Sequence, residues 1–290
     1  SDWSSDVCSS DLEKGESFAE QKLTDSLLGV SSYDLINKYG LYDTYTAEDD
    51  CFKVTFGSVI SDGTKARMIV RYEAKTKEAK EYLDLVHYLP IYVFDPDTKD
   101  NILAPIGGQA ASDKFVKVDD AYYCSLCLDL VYERHTTLDR EVILQAGYEK
   151  AADGSIRTKE SDFTFDESKG YAEVDLSINI PKKDFISEDG KKLTLSPYGL
   201  VSDEFSDRES VKVFDSGETD TVIMTLEYSD GQKHDVTLGE LGETEYGYIG
   251  FDGIRPDLES VTAIEINGRR YTAKKPMIED NTITNPNMDK

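Results

Sequence analysis

The feature that most limits the fold is two-residue alternation of apolar and polar side chains in segments broken by Gly- and Asp-containing turns. Ala172, Val174, Leu176, Ile178 and Ile180 alternate with Glu173, Asp175, Ser177 and Asn179. Successive strand side chains point to opposite faces, so the pattern predicts a strand over Tyr171–Ile180 with all five apolar residues on one face. Pro181 removes a ladder donor and ends it. Phe52, Val54 and Phe56 alternate with Lys53 and Thr55, and Met68, Val70 and Tyr72 with Arg67, Ile69 and Arg71. The turn chemistry of Ser61-Asp62-Gly63-Thr64 lies between these two runs and predicts a hairpin. Val222, Met224, Leu226 and Tyr228 repeat the pattern, followed by the turn Ser229-Asp230-Gly231-Gln232 and a return strand at His234–Leu238. Ile264 and Ile266 precede Asn267-Gly268, a strong hairpin signal because both residues tolerate positive φ, and Tyr271 lies on the return.

Other segments read more coarsely. Residues 121–132 and 140–149 are expected as strands, Phe115–Val118 as a short one, and Leu85–Phe94 as a buried one. Asp153-Gly154 is a turn, and the charged stretch Lys75–Tyr82 a loop or a helical turn. Glu16–Gly29 reads as a short helix with Phe18, Leu23 and Leu27 on one face and Gly29 as its stop. The polar stretch Pro181–Gly190 marks a boundary, beyond which Leu193 and Leu195, then Val211 and Val213, begin new strands. Short strands with turns about every ten residues, without long helices between them, predict antiparallel sandwiches rather than a parallel α/β sheet. The expectation is all-β: two tandem immunoglobulin-like antiparallel β-sandwiches with a short N-terminal helix. A helical lead-in covers 13–45, the first sandwich 46–183, the second 184–275 and a flexible tail 276–290.

The net charge of −26 argues against nucleic-acid partners and anionic bilayers, since no basic stripe with interleaved aromatics offsets it. Its plainest use is to keep an exposed surface soluble. A hydrophobic content of 39% with 18 Tyr and 11 Phe is enough to build cores, so global disorder is not expected. No run of about 18 apolar residues occurs, so no membrane span is expected within these residues. The string Ser1-Asp2-Trp3-Ser4-Ser5-Asp6-Val7-Cys8-Ser9-Ser10-Asp11-Leu12 resembles the in-frame translation of the tail of a short-read sequencing adapter. It is read as a non-native scar that replaces the true upstream sequence, and is set aside from fold reasoning.

Candidate sites are few. Cys124-Ser125-Leu126-Cys127 is a CxxC motif, but strand context sets its cysteines on opposite faces about 10 Å apart. A disulfide needs Cα atoms within about 7 Å, so ordinary packing is favoured, with pairing of Cys51 to Cys124 or Cys127 left open. Asp95, Asp97 and Asp100 form the best calcium candidate, because carboxylates two residues apart on a loop can converge. The loop lacks the Gly and terminal Glu of an EF-hand, and Lys99 intrudes, so a solvated turn is favoured over a metal site. Asp203, Glu204, Asp207 and Glu209, with Arg208 among them, form a second acidic loop with the same bland reading. His87, His135 and His234 are scattered; His135 has Asp139 and Glu141 nearby, but no nucleophile elbow or His-Glu-x-x-His accompanies them. Gly107-Gly108 lacks the following Gly-Lys-Ser or Gly-Lys-Thr of a phosphate loop. No catalytic residue and no cofactor is assigned, and the expectation is a protein that is not an enzyme.

Three places carry a family resemblance. Ile36-Asn37-Lys38-Tyr39-Gly40 precedes a strand leading to Val59-Ile60-Ser61-Asp62-Gly63; Leu193-Thr194-Leu195-Ser196-Pro197-Tyr198-Gly199-Leu200 opens the second half; Ser260–Gly268, followed by Tyr271, closes it. This order resembles the extracellular region of a domain-of-unknown-function family of anti-sigma-factor-like membrane proteins from Gram-positive bacteria. In that family a cytoplasmic sigma-binding segment and one membrane helix precede two immunoglobulin-like β-domains. The resemblance implies a non-catalytic, extracytoplasmic, cell-surface region of a membrane-anchored regulator, whose partner is a protein or glycan. It carries no catalytic residues, and the family's anchor and sigma-binding segment are expected upstream of the adapter-like string. A structural or adhesive surface module that binds glycan or protein is the rival expectation.

Overall fold

The computed structural model of the chain describes residues 20–103, 114–132, 136–159, 163–205, 217–245 and 247–274. It has an all-β, sandwich-type fold with short helices at the N-terminal side, as the alternation predicts. In the first lobe a five-stranded antiparallel sheet runs in the order Thr44–Glu48, Phe52–Ser61, Lys65–Ala74, Ala121–Asp129, Phe115–Val118. A four-stranded sheet, Tyr171–Asp175, Glu141–Ala146, Ile91–Phe94, Asn101–Leu103, packs on it. Phe56, Val70 and Leu126 from one sheet and Val93, Leu144 and Val174 from the other belong to one buried cluster. The predicted hairpin is present, and its turn is closed by Asp62 Oδ1, which accepts from the N–H groups of Thr64 (2.8 Å) and Lys65 (2.9 Å).

The five-stranded sheet is buried on both faces. Ile60, Ile69 and Tyr123 point away from the sandwich core and meet two helices, α1 (Gln21–Leu28) and α2 (Ser32–Tyr39), through Leu23, Leu27, Leu28 and Ile36. Helix α3 (Lys77–Val86) closes one end of the core with Ala79 and Leu83; Thr76 caps it by accepting from the Ala79 N–H at 3.1 Å.

The second lobe is one nine-stranded antiparallel sheet. Its order is Lys233–Thr237, Val222–Tyr228, Val261–Ile266, Arg269–Ala273, Lys183–Ser187, Lys192–Ser196, Gly199–Ser202, Tyr248–Phe251, Leu241–Glu245. The 3₁₀ turn Leu238–Glu240 joins the strand at one edge to the strand at the other. Three residues span at most about 10 Å, so the sheet must curl until its edges meet there. The curl encloses Phe185, Leu195, Leu226, Val236, Ile249 and Tyr271 in a second core. The two layers of this lobe are therefore parts of one continuous sheet.

Several expectations are corrected. Of the predicted first helix the described residues show Gln21–Leu28, with Phe18 lying outside them, and a second helix follows at once. Leu85–Phe94 is not one strand: Leu85 and Val86 finish α3, Leu85 is 78% exposed, and the strand is Ile91–Phe94. The strand predicted over Tyr171–Ile180 stops at Asp175, and Ile178 faces outward at 40% exposure. The break has a local cause: Asp175 Oδ1 accepts from the Ser177 N–H and Asp139 Oδ1 from the Ile178 N–H, so side chains replace the ladder. The boundary stretch contains a strand, Lys183–Ser187, at the middle of the second sheet. Val211, Val213 and the tail 276–290 lie outside the described residues.

Asp49 pins three segments of the first lobe. Its Oδ1 accepts from the N–H groups of Cys51 (2.8 Å) and Phe52 (3.0 Å), and its Oδ2 from the Tyr148 hydroxyl (2.7 Å) and the Gly170 N–H (3.1 Å). Burial pushes this carboxyl up, but these donors outweigh it and hold the group below the usual carboxylate range. A folded value below the unfolded one gives stability that is full above about pH 5 and is lost as pH falls through the folded value. Asp49→Ala is expected to cost about 2–4 kcal/mol in urea unfolding at pH 7. Asp49→Asn should show a smaller loss of stability than the parent chain between pH 6 and pH 3.

Candidate functional site at the lobe junction

The outer face of the five-stranded sheet changes character toward Lys65. The turn residue Asp62 and the strand residues Lys65, Arg67 and Cys127 bring polar groups to a surface that the second lobe covers. Ser196 Oγ donates to Asp62 Oδ2 at 2.7 Å, with both side chains buried. The guanidinium of Arg67 lies 5.5 Å from the Tyr198 ring centroid, and that of Arg255 lies 4.0 Å from it. Two cations lie against one buried ring, and such contacts strengthen on desolvation. Lys65 Nζ sits 5.2 Å from the Tyr248 ring and 3.6 Å from Asp129. Burial raises the phenols of Tyr198 and Tyr248 above the ordinary tyrosine range, so both stay neutral donors.

The helices enter this seam as a wedge. The Tyr198 hydroxyl donates to Ser32 Oγ (2.6 Å), and Ser32 Oγ donates to the Leu28 carbonyl (3.0 Å). Arg255 Nη2 donates to the same carbonyl, and the Val30 N–H to the Asp252 carbonyl (3.0 Å). Lys114 pairs with Asp252 at 2.7 Å, adding a direct tie from the first lobe. The helical pair therefore packs on the first lobe through α1 and α2 and hydrogen-bonds to the second at and beside their connection. Gly29, at φ +94°, makes this approach possible: a Cβ there would stand 2.7 Å from the Asp252 carbonyl oxygen and closer still to the Arg255 guanidinium.

A solvent-open groove of about 640 Å³ runs beside the seam, between α2, the connection at Pro181–Lys183 and the loop 255–259. Leu35, Tyr39, Pro197 and Leu258 give it an apolar lining, with Lys38 and Lys182 at its sides. Its size falls in the range of ligand sites, and its openness suits an extended partner more than an enclosed small substrate. The lining offers contact chemistry: apolar surface flanked by charges of both signs.

The sequence-predicted sites fall elsewhere. Asp95 Oδ1 accepts from the N–H groups of Asp97 (2.8 Å) and Thr98 (3.1 Å), and Oδ2 from Arg140 at 2.6 Å. Arg140 and then those N–H groups hold its carboxyl down at about 2. Lys99 Nζ donates to the Pro96 carbonyl inside the same turn, while Asp97 and Asp100 are exposed. Among the described residues no three His, Cys, Asp or Glu side chains gather in a way that could hold a metal. Glu204 of the second acidic loop accepts from Tyr271 (2.8 Å) and pairs with Arg269 and Lys191. Asp207, Arg208, Glu209, His135, Gly107 and Gly108 lie outside the described residues. His87 stacks on Phe115 (4.0 Å) in the first lobe, and His234 Nε2 contacts Glu240 Oε1 (2.9 Å) in the second. Cys51, Cys124 and Cys127 form no disulfide in the structure. Burial pushes the Cys124 thiol up to about 12.

Sequence reasoning missed the seam itself. Its signal was Arg67, a cation on a strand whose neighbours Ala66, Met68 and Ile69 are all fully buried. A charge in such company needs a second body to cover it. Ser196, Pro197 and Tyr198 were singled out only as part of a resemblance.

No protein-family model matches the chain, and no curated protein does. Among solved structures it is similar to one described as the conserved domain protein from Bacillus anthracis, with 14% identity over 76% of this chain and 73% of that one and a TM-score of 0.36.

Three measurements test these readings. Gly29→Ala is expected to cost about 1–3 kcal/mol and to change the lobe arrangement seen by small-angle scattering. Gly40→Ala is the control: φ is +65° there, but a Cβ would meet nothing within 4 Å, so only about 1 kcal/mol of backbone strain is expected. Millimolar calcium is expected to leave the melting temperature unchanged, whereas a clear rise would place a bound cation on the folded chain.

Proposed function

We propose that this chain is the non-catalytic, extracytoplasmic binding region of a membrane-anchored regulator of anti-sigma-factor type. The observation that carries the reading is the shared use of α2. This helix lines the groove with Leu35, Lys38 and Tyr39, and its first residue, Ser32, bonds to Tyr198 of the second lobe. A partner in the groove would therefore touch the same helical unit that holds the lobes together. The resemblance of residues 36–271 to a family whose anchor precedes two β-domains supports the direction of coupling, from groove through helices toward an anchor. The acidic surface supports an exposed setting.

The test uses cells that carry the intact gene. External protease is expected to cleave the lobes in unbroken cells. Leu35→Glu, which puts a charge into the groove, is expected to change transcription from a reporter set that covers the sigma factors of the host cell. Lobes protected from external protease would defeat the extracytoplasmic reading. An unchanged reporter together with lost adhesion to a glycan- or protein-coated surface would replace the regulator with the adhesive module.

A further inference from the structure

The CxxC motif has two unlike cysteines. Cys124 faces the sandwich core and is buried. Cys127, three residues on, faces the lobe seam and keeps part of its surface open to solvent. It stands directly opposite Arg67 in the register of the two strands. The Cβ atoms of such a pair are about 4.5–5.5 Å apart, within reach of a guanidinium.

Arg67 is only partly satisfied: its guanidinium hydrogen-bonds with Tyr248, a neutral phenol. Its Nε and Nη2 are shut off from solvent and meet no hydrogen-bond acceptor. It makes no ion pair among the described residues. The groups around it are mostly neutral: the phenols of Tyr198 and Tyr248 are both raised by burial. Asp129, on the same face as Cys127, is engaged by Lys65 at 3.6 Å, and Asp62 accepts from Ser196. Arg255, on the far side of the seam, adds a second positive charge near Tyr198. A buried guanidinium with unmet N–H groups favours an anion beside it, and the acid placed to supply one is the Cys127 thiol.

We propose that Cys127 is a thiol-modification site: a thiolate held by Arg67 that exchanges with low-molecular-weight disulfides at the lobe seam. In this step Cys127 Sγ attacks one sulfur of the disulfide. A new Sγ–S bond forms, the old S–S bond breaks, and the leaving thiolate carries away the electron pair and takes a proton from water. The cysteine sulfur is oxidised to the mixed-disulfide level and the leaving thiol is the reduced product. The adduct adds bulk between Arg67 and Tyr248, where the two lobes meet.

The experiment uses the full chain with Cys8→Ser, so that Cys51, Cys124 and Cys127 are the cysteines present. Glutathione disulfide is the probe, and intact mass with peptide mapping reads the product against pH. One adduct is expected, on Cys127, with a pH midpoint below the value of about 8.5 for a free cysteine. Arg67→Gln should raise that midpoint and slow modification at pH 7 by about tenfold, one pH unit in thiolate fraction, while Arg67→Lys restores part of the rate. Should Arg67→Gln fail to fold, the pH profile of the parent chain decides alone. A midpoint at or above about 8.5, or an adduct that forms first on Cys51 or Cys124, overturns the proposal.

Discussion

The structure depends on covering both faces of the five-stranded sheet. Strands buried on two sides need a second layer for each, and this sheet finds them in different places. One face meets the four-stranded sheet through Phe56, Val70 and Leu126. The other meets α1, α2 and the second lobe through Ile60, Ile69 and Tyr123. Tyr198, from the second lobe, belongs to that same cluster. The junction is thus partly a core in its own right, with a polar end where Asp62, Lys65 and Arg67 meet Ser196, Tyr198 and Tyr248. A joint of this kind resists sliding, because buried bonds such as Ser196–Asp62 and Tyr198–Ser32 form only in one alignment.

Much of the fold was legible because a two-residue period is a local signal. The hairpins closed by Ser61–Thr64, Ser229–Gln232 and Asn267-Gly268 all form where turn chemistry predicts them. Failures came where local and tertiary terms compete. Ile178 continues the alternation of its segment, yet the Asp175 and Asp139 carboxylates accept from the Ser177 and Ile178 N–H groups and take over the backbone there. Helix α2 has only two turns and one fully buried apolar residue, Ile36, too little for a periodic signal. Lys183–Ser187 is rich in charge, as a loop would be, but Phe185 anchors it at 1% exposure and Lys183 Nζ donates to the Leu258 and Val261 carbonyls.

The candidate site was less legible than the fold. Grooves and seams are made by residues far apart in sequence, and no spacing rule links Ser32 to Tyr198 or Arg67 to Arg255. The alternation did set Arg67, Ile69 and Arg71 on one strand face opposite Met68, Val70 and Tyr72, but nothing in it says that this face is covered. The acidic loops attracted attention because carboxylates stand close together in sequence. In the folded chain their oxygens serve turns and ion pairs, as at Asp95 and Glu204.

The pairing of Lys183–Ser187 with Arg269–Ala273 has a consequence for synthesis. Ile186 and Thr272 are partners although 86 residues separate them. The second lobe cannot complete its sheet until its last strand has left the ribosome, whereas every described strand of the first lobe is available by residue 175. Domains fold as units in the order in which they are made, and non-local pairing is slow. The nascent chain therefore passes through an interval in which the first lobe is folded while the face bearing Arg67 still waits for the cover that Tyr198 and Tyr248 will provide.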